Sequence, residues 1–372
     1  IPQSAKTKKQ IPVQASLFDM LEPDSPVENS LSDDATVPLT FKTITGTPHN
    51  YVLVNTPAKR ADMIETLRKC GEFSFDTETT SLDVINAQLV GLSFSVKKGE
   101  AWYVPFPENQ EESQTIANEF KPILEDMSIA KVGQNMKYDI SVMANYGIDV
   151  QGPMFDTMIA HYLLQPDLRH NLDYLAETYF NYKMVSIEEL IGKKGAHQKS
   201  FRTVPVDQAC EYSGEDADIT LQLKSIFIDE LRMHGLTRLF NEVEMPLVKI
   251  LSRMERTGVT INTEALKQSS LELKKEIVAL EQTIYEKAGT EFNIGSPKQL
   301  GEILFERLKI SEKAKKTKTK QYATGEEVLE QFKDDHPIVH DILEYREIKK
   351  LVSTYIDALP ELINPATGHI HT

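Results

Sequence analysis

The chain has 372 residues, with 40% hydrophobic and 26% charged side chains, so extensive disorder and repetitive fibrous structures are excluded. This length predicts about two domains, each large enough to bury its own core. Two cysteines are too few for a disulfide framework or a cysteine-rich zinc site, which indicates a reducing compartment. The sequence has no apolar run long enough for a membrane span and begins with polar, basic residues, so we expect a cytoplasmic protein. It starts at Ile1 without a methionine, and we therefore expect a fragment of a longer protein.

The net charge of −15 argues against a general nucleic-acid binder. The acidic excess is not evenly distributed. Residues 41–236 carry 18 basic and 28 acidic side chains, whereas residues 237–372 carry 20 and 22. The middle of the chain is therefore the place to look for carboxylates with a function.

Residues 1–40 contain five prolines and many Ser, Asp and Glu residues, a composition that predicts a flexible linker. Within it, QASLF, from Gln14 to Phe18, is an isolated apolar patch. A chance hydrophobic pair in a tether explains the patch. It also resembles the peptide with which bacterial proteins bind the sliding clamp, so a clamp is a second possible interpretation.

Strands and helices alternate over residues 41–236, a pattern typical of a layered α/β fold with a mixed sheet. Strands are predicted over 51–54, 72–78, 88–96, 100–104 and 130–133. Helices are predicted over 58–69, 112–125, 136–146, 156–164, 171–179 and 206–233.

Residues 237–372 are predicted to be all-helical. Apolar residues recur every three to four positions over 238–256, with a kink at Pro246, and a long helix over 263–288 begins at an Asn262 cap. Further helices are predicted from Pro297 and over 326–332 and 338–359. Five lysines over 313–320 predict a mobile basic tip, and a merely solubilising loop is the alternative.

Three pairs of residues in the α/β region each contain at least one carboxylate at a spacing that brings the two side chains together. Asp76 and Glu78 alternate along one strand, so they project from the same face about 6.6 Å apart. Asn135 and Asp139, and likewise Tyr212 and Asp216, are four residues apart in predicted helices and so share one helix face. Taken singly, Asp76 and Glu78 are explained equally well by a solvated strand end. The alternative for Asp216 is an exposed helical acid, and for Asp139 it is a hydrogen-bonded helical acid.

The order D-x-E, N-x-x-x-D and Y-x-x-x-D resembles that of the DEDD exonucleases with a tyrosine in the third motif. The segments FSFDTETTSLD, VGQNMKYD, RHNLDYLAE, YSGEDADITLQL and NEVEMPLVKILSRMERTGV resemble the proofreading domain and thumb of bacterial family A DNA polymerases. The resemblance implies a ribonuclease H-like 3′–5′ exonuclease domain over 41–236. It also implies the all-α thumb of a polymerase domain over 237–372, without palm and fingers.

The resemblance implies two bound divalent ions, Mg²⁺ with Mn²⁺ as a possible substitute. Asp76 would bridge both ions, Glu78 and Asp216 would complete the tighter site, and Asp139 would hold the second ion, partly through water. Tyr212 would orient the attacking water together with Glu78.

The resemblance also implies contacts with DNA. The terminal nucleotide would be bound by Leu82, Gln134, Asn135, Tyr138 and Arg169, although ordinary core packing explains Leu82 equally well. The thumb tip would contact duplex DNA through Lys315, Lys316, Lys318 and Lys320. In two places the sequence departs from the family: Ile187 replaces an aromatic residue that stacks on the strand, and Gly214 replaces alanine. We expect Gly214 to be tolerated at a cost of roughly 1 kcal/mol of helix propensity.

Three functions follow as hypotheses. The chain is expected to be part of a bacterial DNA polymerase, associated with the nucleoid, that removes 3′-terminal nucleotides from DNA in replication and repair. A ribonuclease D-like RNA exonuclease is an alternative from the same chemistry. A catalytically silent DNA-binding scaffold is the third, and the four carboxylates argue against it.

Overall fold

The computed structural model describes residues 41–195, 197–311, 314–317 and 320–372. The predicted linker over 1–40, with its QASLF peptide, lies outside the described residues, as do Lys313 and Lys318. Residues 42–372 form one unit. None of the helices in the described part of the chain has the length and apolar character needed to cross a membrane.

A mixed sheet of six strands organises the described residues up to about 236. Its strands are β1 (Asn50–Leu53), β2 (Glu72–Thr79), β3 (Leu89–Lys97), β4 (Glu100–Pro105), β5 (Ala130–Gly133) and β6 (Met154–Asp156). The spatial order is β1-β4-β3-β2-β5-β6, in which β2, β3 and β4 pair antiparallel and the outer pairings are parallel. The predicted α/β class with a mixed sheet is confirmed.

Helices cover the sheet on both faces. They are α1 (Pro57–Lys69), α2 (Gln110–Leu124), α3 (Met136–Asn145), α4 (Thr157–Leu164), α5 (Leu172–Phe180), α6 (Ile187–Ile191) and α7 (Val206–Met233). The first core includes Phe73, Phe94 and Phe120, which are fully buried, and Phe94 stacks on Phe120. The long helix α7 packs across β1 to β5. Two short elements, β6 and α6, were not predicted, because three and five residues are too few to show a period.

The remaining chain is helical, as predicted. Its helices are α8 (Thr237–Leu239), α9 (Met245–Thr257), α10 (Thr263–Ala288), α11 (Pro297–Gly301), α12 (Glu326–Leu329) and α13 (Pro337–Lys350). Shorter helical turns of 3₁₀ or π type cover 44–46, 201–203, 240–244, 302–307, 330–332, 351–356 and 359–362. A second hydrophobic core includes Leu300, Leu304 and Ile342, whereas α9 buries Met245 and Val248 in the first core.

The kink predicted at Pro246 takes the form of a wide helical turn. Residues Phe240–Glu244 form a π turn directly before α9, in which Pro246 occupies one of the first two positions. Proline has no N–H to donate to the preceding turn, and its ring would clash with the carbonyl four residues earlier. The π turn widens the backbone at that point and so accommodates the ring.

Gly214 in α7 lies against the ring of Tyr51 on β1. A Cβ atom added at Gly214 would come within 2.8 Å of Tyr51 Cγ. The Tyr51 hydroxyl donates to the carboxylate of Asp218, one turn further along α7, at 2.9 Å, and this bond fixes the ring. The absence of a side chain at Gly214 therefore allows α7 and β1 to pack closely. The sequence pattern alone does not indicate this contact.

We predict that Gly214→Ala lowers the free energy of unfolding by about 1 kcal/mol, because overpacking of about 2 kcal/mol outweighs the ~1 kcal/mol of helix propensity that alanine adds. Urea unfolding followed by circular dichroism measures the change. In a Tyr51→Ala background the same substitution should instead stabilise the protein. Stabilisation by Gly214→Ala with Tyr51 intact would contradict this account.

Candidate active site

Strand β2 presents Asp76 and Glu78 on the face opposite its buried phenylalanines. Phe73 and Phe75 are at most 1% exposed in the first core, and the side chains of a strand alternate between its faces. Glu78 is 9% exposed, and its Oε1 accepts a hydrogen bond of 2.7 Å from Ser213 Oγ on α7. The strand therefore directs both carboxylates toward α7, as the alternation predicts.

Helix α7 brings a third carboxylate to the same place. Ser74 Oγ on β2 donates to the backbone carbonyl of Ala217 at 2.6 Å, so strand and helix are joined beside the site. Carboxylate oxygens of Asp76, Glu78 and Asp216 lie within 4.8 Å of one another. Of the four predicted metal ligands, the fold brings these three together.

Asp139 lies beside these three carboxylates, and its own hydrogen bonds are with Thr77. It is 2% exposed at the start of α3, and its Oδ1 accepts from Thr77 N at 3.1 Å and from Thr77 Oγ1 at 2.6 Å. Strand β5 pairs with β2 only along 72–74, so the Thr77 N–H lies beyond the end of that pairing. The Asp139 carboxylate accepts this N–H where β5 no longer pairs with β2. It also lies close enough to Asp76 for the charge of Asp76 to raise its pKa.

Burial and mutual repulsion dominate the electrostatics of these four carboxylates. Burial is the largest cause of a raised pKa at Asp76, Glu78, Asp139 and Asp216, and the negative charge of Asp76 raises the pKa of the other three further. Hydrogen bonds from Ser213 and Thr77 oppose these shifts only in part. Among the described residues, no basic side chain is within ion-pair distance of any of the four.

This donor set fits hard divalent cations. Carboxylate oxygens are the ligands that Mg²⁺ and Mn²⁺ take in proteins, and like charges this close are stable together only with a cation or a proton between them. Asp76, Glu78 and Asp216 supply three such ligands, and Asp139 lies next to Asp76.

Tyr212 lies one helical turn before Asp216 on α7. Its ring packs against Phe201, with centroids 5.7 Å apart. Burial, followed by the charges of Asp216 and Glu78, holds the pKa of its hydroxyl well above the ordinary value. The hydroxyl is therefore neutral at any physiological pH and can both donate and accept a hydrogen bond.

The loop after β2 carries Leu82, and Tyr138, another predicted substrate residue, contacts this loop from α3. Leu82 is 71% exposed, which excludes the core-packing alternative. The Tyr138 hydroxyl donates to the carbonyl of Ser81 at 2.7 Å and also bonds the hydroxyl of Thr79. Tyr138 on α3 thus fixes the loop that carries Leu82.

The turn between β5 and α3 holds the side chain of Gln134 through two hydrogen bonds within the protein. Its amide nitrogen donates to the carbonyl of His170 at 2.7 Å, and its amide oxygen accepts from Thr157 Oγ1. Each end of the amide thus makes one hydrogen bond within the protein and keeps one further donor or acceptor position, so a contact of Gln134 with the terminal nucleotide stays a prediction. Asn135 and Arg169 are exposed at the two sides of this contact.

In the basic segment over 313–320, a described lysine contacts the chain that follows the segment. Lys316 pairs with Tyr322 in an antiparallel bridge, and its ammonium group lies 4.5 Å from the Tyr322 ring centroid. Lys315, Lys316 and Lys320 are exposed, so they are available to a polyanion. Lys318 lies outside the described residues.

Three residues at the site were missed as functional candidates. Ser213 and Thr77 sit beside motif residues in the chain, but no sequence pattern shows which carboxylate they bond. Asp156 ends β6 and accepts four backbone amides. An acidic residue before an apolar helix is a common helix cap, so its role at α4 could be predicted from the sequence. Its bonds to the start of α3 depend on strand β6, which was not predicted.

Comparison with known proteins gives two family matches. Residues 51–232 match a family described as 3′–5′ exonuclease, and residues 263–372 match DNA polymerase family A. DNA polymerase I of Pseudomonas aeruginosa is 42% identical over 320 residues, covering 83% of this chain and 35% of the relative. DNA polymerase I of Borreliella burgdorferi is 38% identical over 372 residues, covering 99% of this chain and 39% of the relative. The chain thus spans somewhat more than a third of the length of these relatives.

The fold is also found among solved structures. The polymerase domain of Pol1 from M. smegmatis, in a complex with DNA primer-template and dNTP, superposes with a TM-score of 0.70 at 24% identity. The match covers 86% of this chain and 52% of that one. At this level of identity the likeness concerns the fold.

We predict that divalent cations stabilise the protein more at about pH 8 than at about pH 5.5, because the raised pKa values keep the carboxylates partly protonated at the lower pH. Without metal, the raised pKa values of the carboxylates make the folded protein more stable at low pH. This stability is lost as the pH rises through those pKa values. Saturating metal should then add about 3 kcal/mol at the higher pH. The melting temperature with Mn²⁺ and with EDTA, at both pH values, measures this. An equal shift at both pH values, or a shift that persists in Asp76→Asn/Glu78→Gln, would contradict the metal assignment.

Proposed function

We propose that this chain, which belongs to DNA polymerase family A, is the part of a bacterial DNA polymerase I that carries the 3′–5′ exonuclease domain, and that its carboxylate site hydrolyses 3′-terminal nucleotides from DNA. The observation that carries the proposal is the cluster of Asp76, Glu78 and Asp216, whose oxygens lie within 4.8 Å without a basic partner among the described residues. All three residues lie inside the segment that matches the exonuclease family.

The proposed cofactor is a pair of divalent ions, Mg²⁺ or Mn²⁺. Asp76, Glu78 and Asp216 would hold one ion, and Asp76 with Asp139 the other. Bound there, two such ions would supply activation of a water and neutralisation of the charge that develops on the attacking and leaving oxygens. The residues themselves form no covalent intermediate in this reaction.

The chain's other residues handle water and substrate. The neutral Tyr212 hydroxyl can hold a water for attack together with Glu78, because both side chains face the same cluster. The exposed Leu82 and the ring of Tyr138 would pack on the terminal base, an arrangement suited to frayed single strands. Asn135 and Arg169 are exposed nearby and would bind the terminal nucleotide and a phosphate.

DNA is the favoured substrate over RNA because residues 263–372 match the DNA polymerase family. The solved structure with this fold binds a DNA primer-template. Lys315, Lys316, Lys318 and Lys320 would contact duplex DNA through its phosphates, and such binding weakens with salt. We propose that the whole protein is a DNA-directed DNA polymerase of replication and repair.

Two further predictions concern a sliding clamp as a partner and the location of the protein in the cell. Binding of a sliding clamp through residues 14–18 stays a prediction, since these residues lie outside the described part of the chain. A cytoplasmic, nucleoid-associated location likewise stays a prediction from the sequence.

We predict that the protein with Mg²⁺ shortens a 5′-labelled single-stranded DNA from its 3′ end, and that Asp76→Ala/Glu78→Ala slows this by about a thousandfold or more, because the metal contribution is several kcal/mol. Product lengths on a denaturing gel measure the rate. Glu111→Ala/Glu112→Ala, which removes two exposed acids from the first turn of α2, is the charge-matched control and should retain activity.

The alternatives give different results in the same assay. Degradation of an RNA of equal sequence, with DNA left intact, would favour the ribonuclease D-like function. Wild-type protein that binds DNA and leaves both substrates intact would indicate the silent scaffold.

A further inference from the structure

Asp156 is a fully buried carboxylate at the junction of β6 and α4. It is 1% exposed, and its Oδ1 accepts from Met158 N at 2.9 Å and from Ile159 N at 3.2 Å, so it caps α4. A single cap of this kind is an ordinary way to satisfy the free amides of a helix start.

The same carboxylate also holds the start of a second helix. Asp156 Oδ2 accepts from Met136 N at 2.7 Å, and its Oδ1 accepts from Asn135 N at 3.2 Å. Helix α3 has no cap of its own, because the side chain of Asn135 makes no capping bond and its backbone is in the left-handed region, with φ 62°. The amides that begin α3 therefore depend on a residue twenty positions further along the chain.

The position of α3 matters because its first turns carry Tyr138 and Asp139. Gly133, the residue of β5 paired with Asp156, lies so close to the start of α3 that an added Cβ would come within 2.4 Å of Met136 Cγ. The Met136 amide is thus packed into a tight turn. If it lost its acceptor, a buried donor would be left unpaired, and the turn would have to shift to satisfy it.

We propose that Asp156 is a positioning residue for the metal site, which acts by fixing the start of α3 and thereby the carboxylate of Asp139. This assignment rests on the proposed function, since it takes Asp139 as a metal ligand. Asp156 is not one of the proposed metal ligands or substrate-binding residues. Its four accepted hydrogen bonds require a carboxylate with both oxygens as acceptors, because the amide nitrogen of an asparagine would face the Met136 N–H, or the amides bonded to Oδ1, as a second donor.

The test is the binding of Mn²⁺ to Asp156→Asn, measured by isothermal titration calorimetry. Loss of a group that orients a metal ligand weakens metal affinity by about 10- to 100-fold, and we expect this for the site that depends on Asp139. Because Asp156 acts through Asp139, the double variant Asp156→Asn/Asp139→Asn should bind Mn²⁺ as Asp139→Asn does. Equal affinity of Asp156→Asn and wild type would overturn the assignment, and so would multiplicative effects in the double variant.

A matched control separates positioning from general destabilisation. Asn109 caps α2 by accepting from Glu112 N at 3.0 Å, and α2 carries none of the proposed site residues. Asn109→Ala should lower the melting temperature and leave Mn²⁺ binding unchanged. If Asn109→Ala weakened binding as much as Asp156→Asn does, Asp156 would have only a structural role.

A second variant covers the case in which Asp156→Asn does not fold. Asp156→Ser keeps a residue that caps α4 well, but its single, shorter hydroxyl releases the amides of α3. It should show the same weakened Mn²⁺ binding, and wild-type affinity in this variant would overturn the assignment. Wild-type protein that binds no Mn²⁺ would overturn the proposed function itself, whereas tight wild-type binding with no effect at Asp156 overturns only the positioning role.

Discussion

The repulsion among the four clustered carboxylates Asp76, Glu78, Asp139 and Asp216 is the constraint on which the rest of the exonuclease region depends. Burial and the charge of Asp76 raise the pKa of its neighbours, and no described basic side chain offsets this charge. Such a cluster destabilises the protein when it is ionised and empty. The surrounding fold must therefore hold these side chains in place, and a bound cation turns that arrangement into a favourable one.

The framework that holds the cluster consists of one strand and two helices. The Ser74 bond to the Ala217 carbonyl joins β2 to α7, and the Ser213 bond to Glu78 fixes one carboxylate directly. Helix α3 approaches from the other side, where Asp139 bonds Thr77. Each carboxylate is thus placed by regular secondary structure, which positions a side chain more accurately than a loop does.

Helix α3 also connects the site to the helical part of the chain. Lys137 Nζ pairs with Glu255 at 2.6 Å, and Ser141 bonds Ser252 at 2.8 Å. Arg256 donates to the carbonyl of Ser141 at 2.7 Å and to the side chain of Asn145. One face of α3 therefore carries site residues while another packs on α9, so the exonuclease site and the helical region share a structural element.

Much of this arrangement could be predicted from local patterns. Alternation placed Asp76 and Glu78 on one face of β2, and the bounds of α7, β5 and α10 were predicted correctly. Contacts between distant segments could not be predicted in this way. The engagement of Gln134 by Thr157 and His170, the bond from Thr77 to Asp139 and the fit of Gly214 to Tyr51 all depend on pairings that no local period encodes.

Anomalous diffraction from crystals soaked in Mn²⁺ would show directly whether the clustered carboxylates bind divalent cations. We expect a strong anomalous peak bonded to oxygens of Asp76, Glu78 and Asp216, with a second peak on the Asp139 side at higher Mn²⁺ concentration. A map without a peak at these carboxylates, or with a basic side chain turned into the cluster instead, would contradict this expectation.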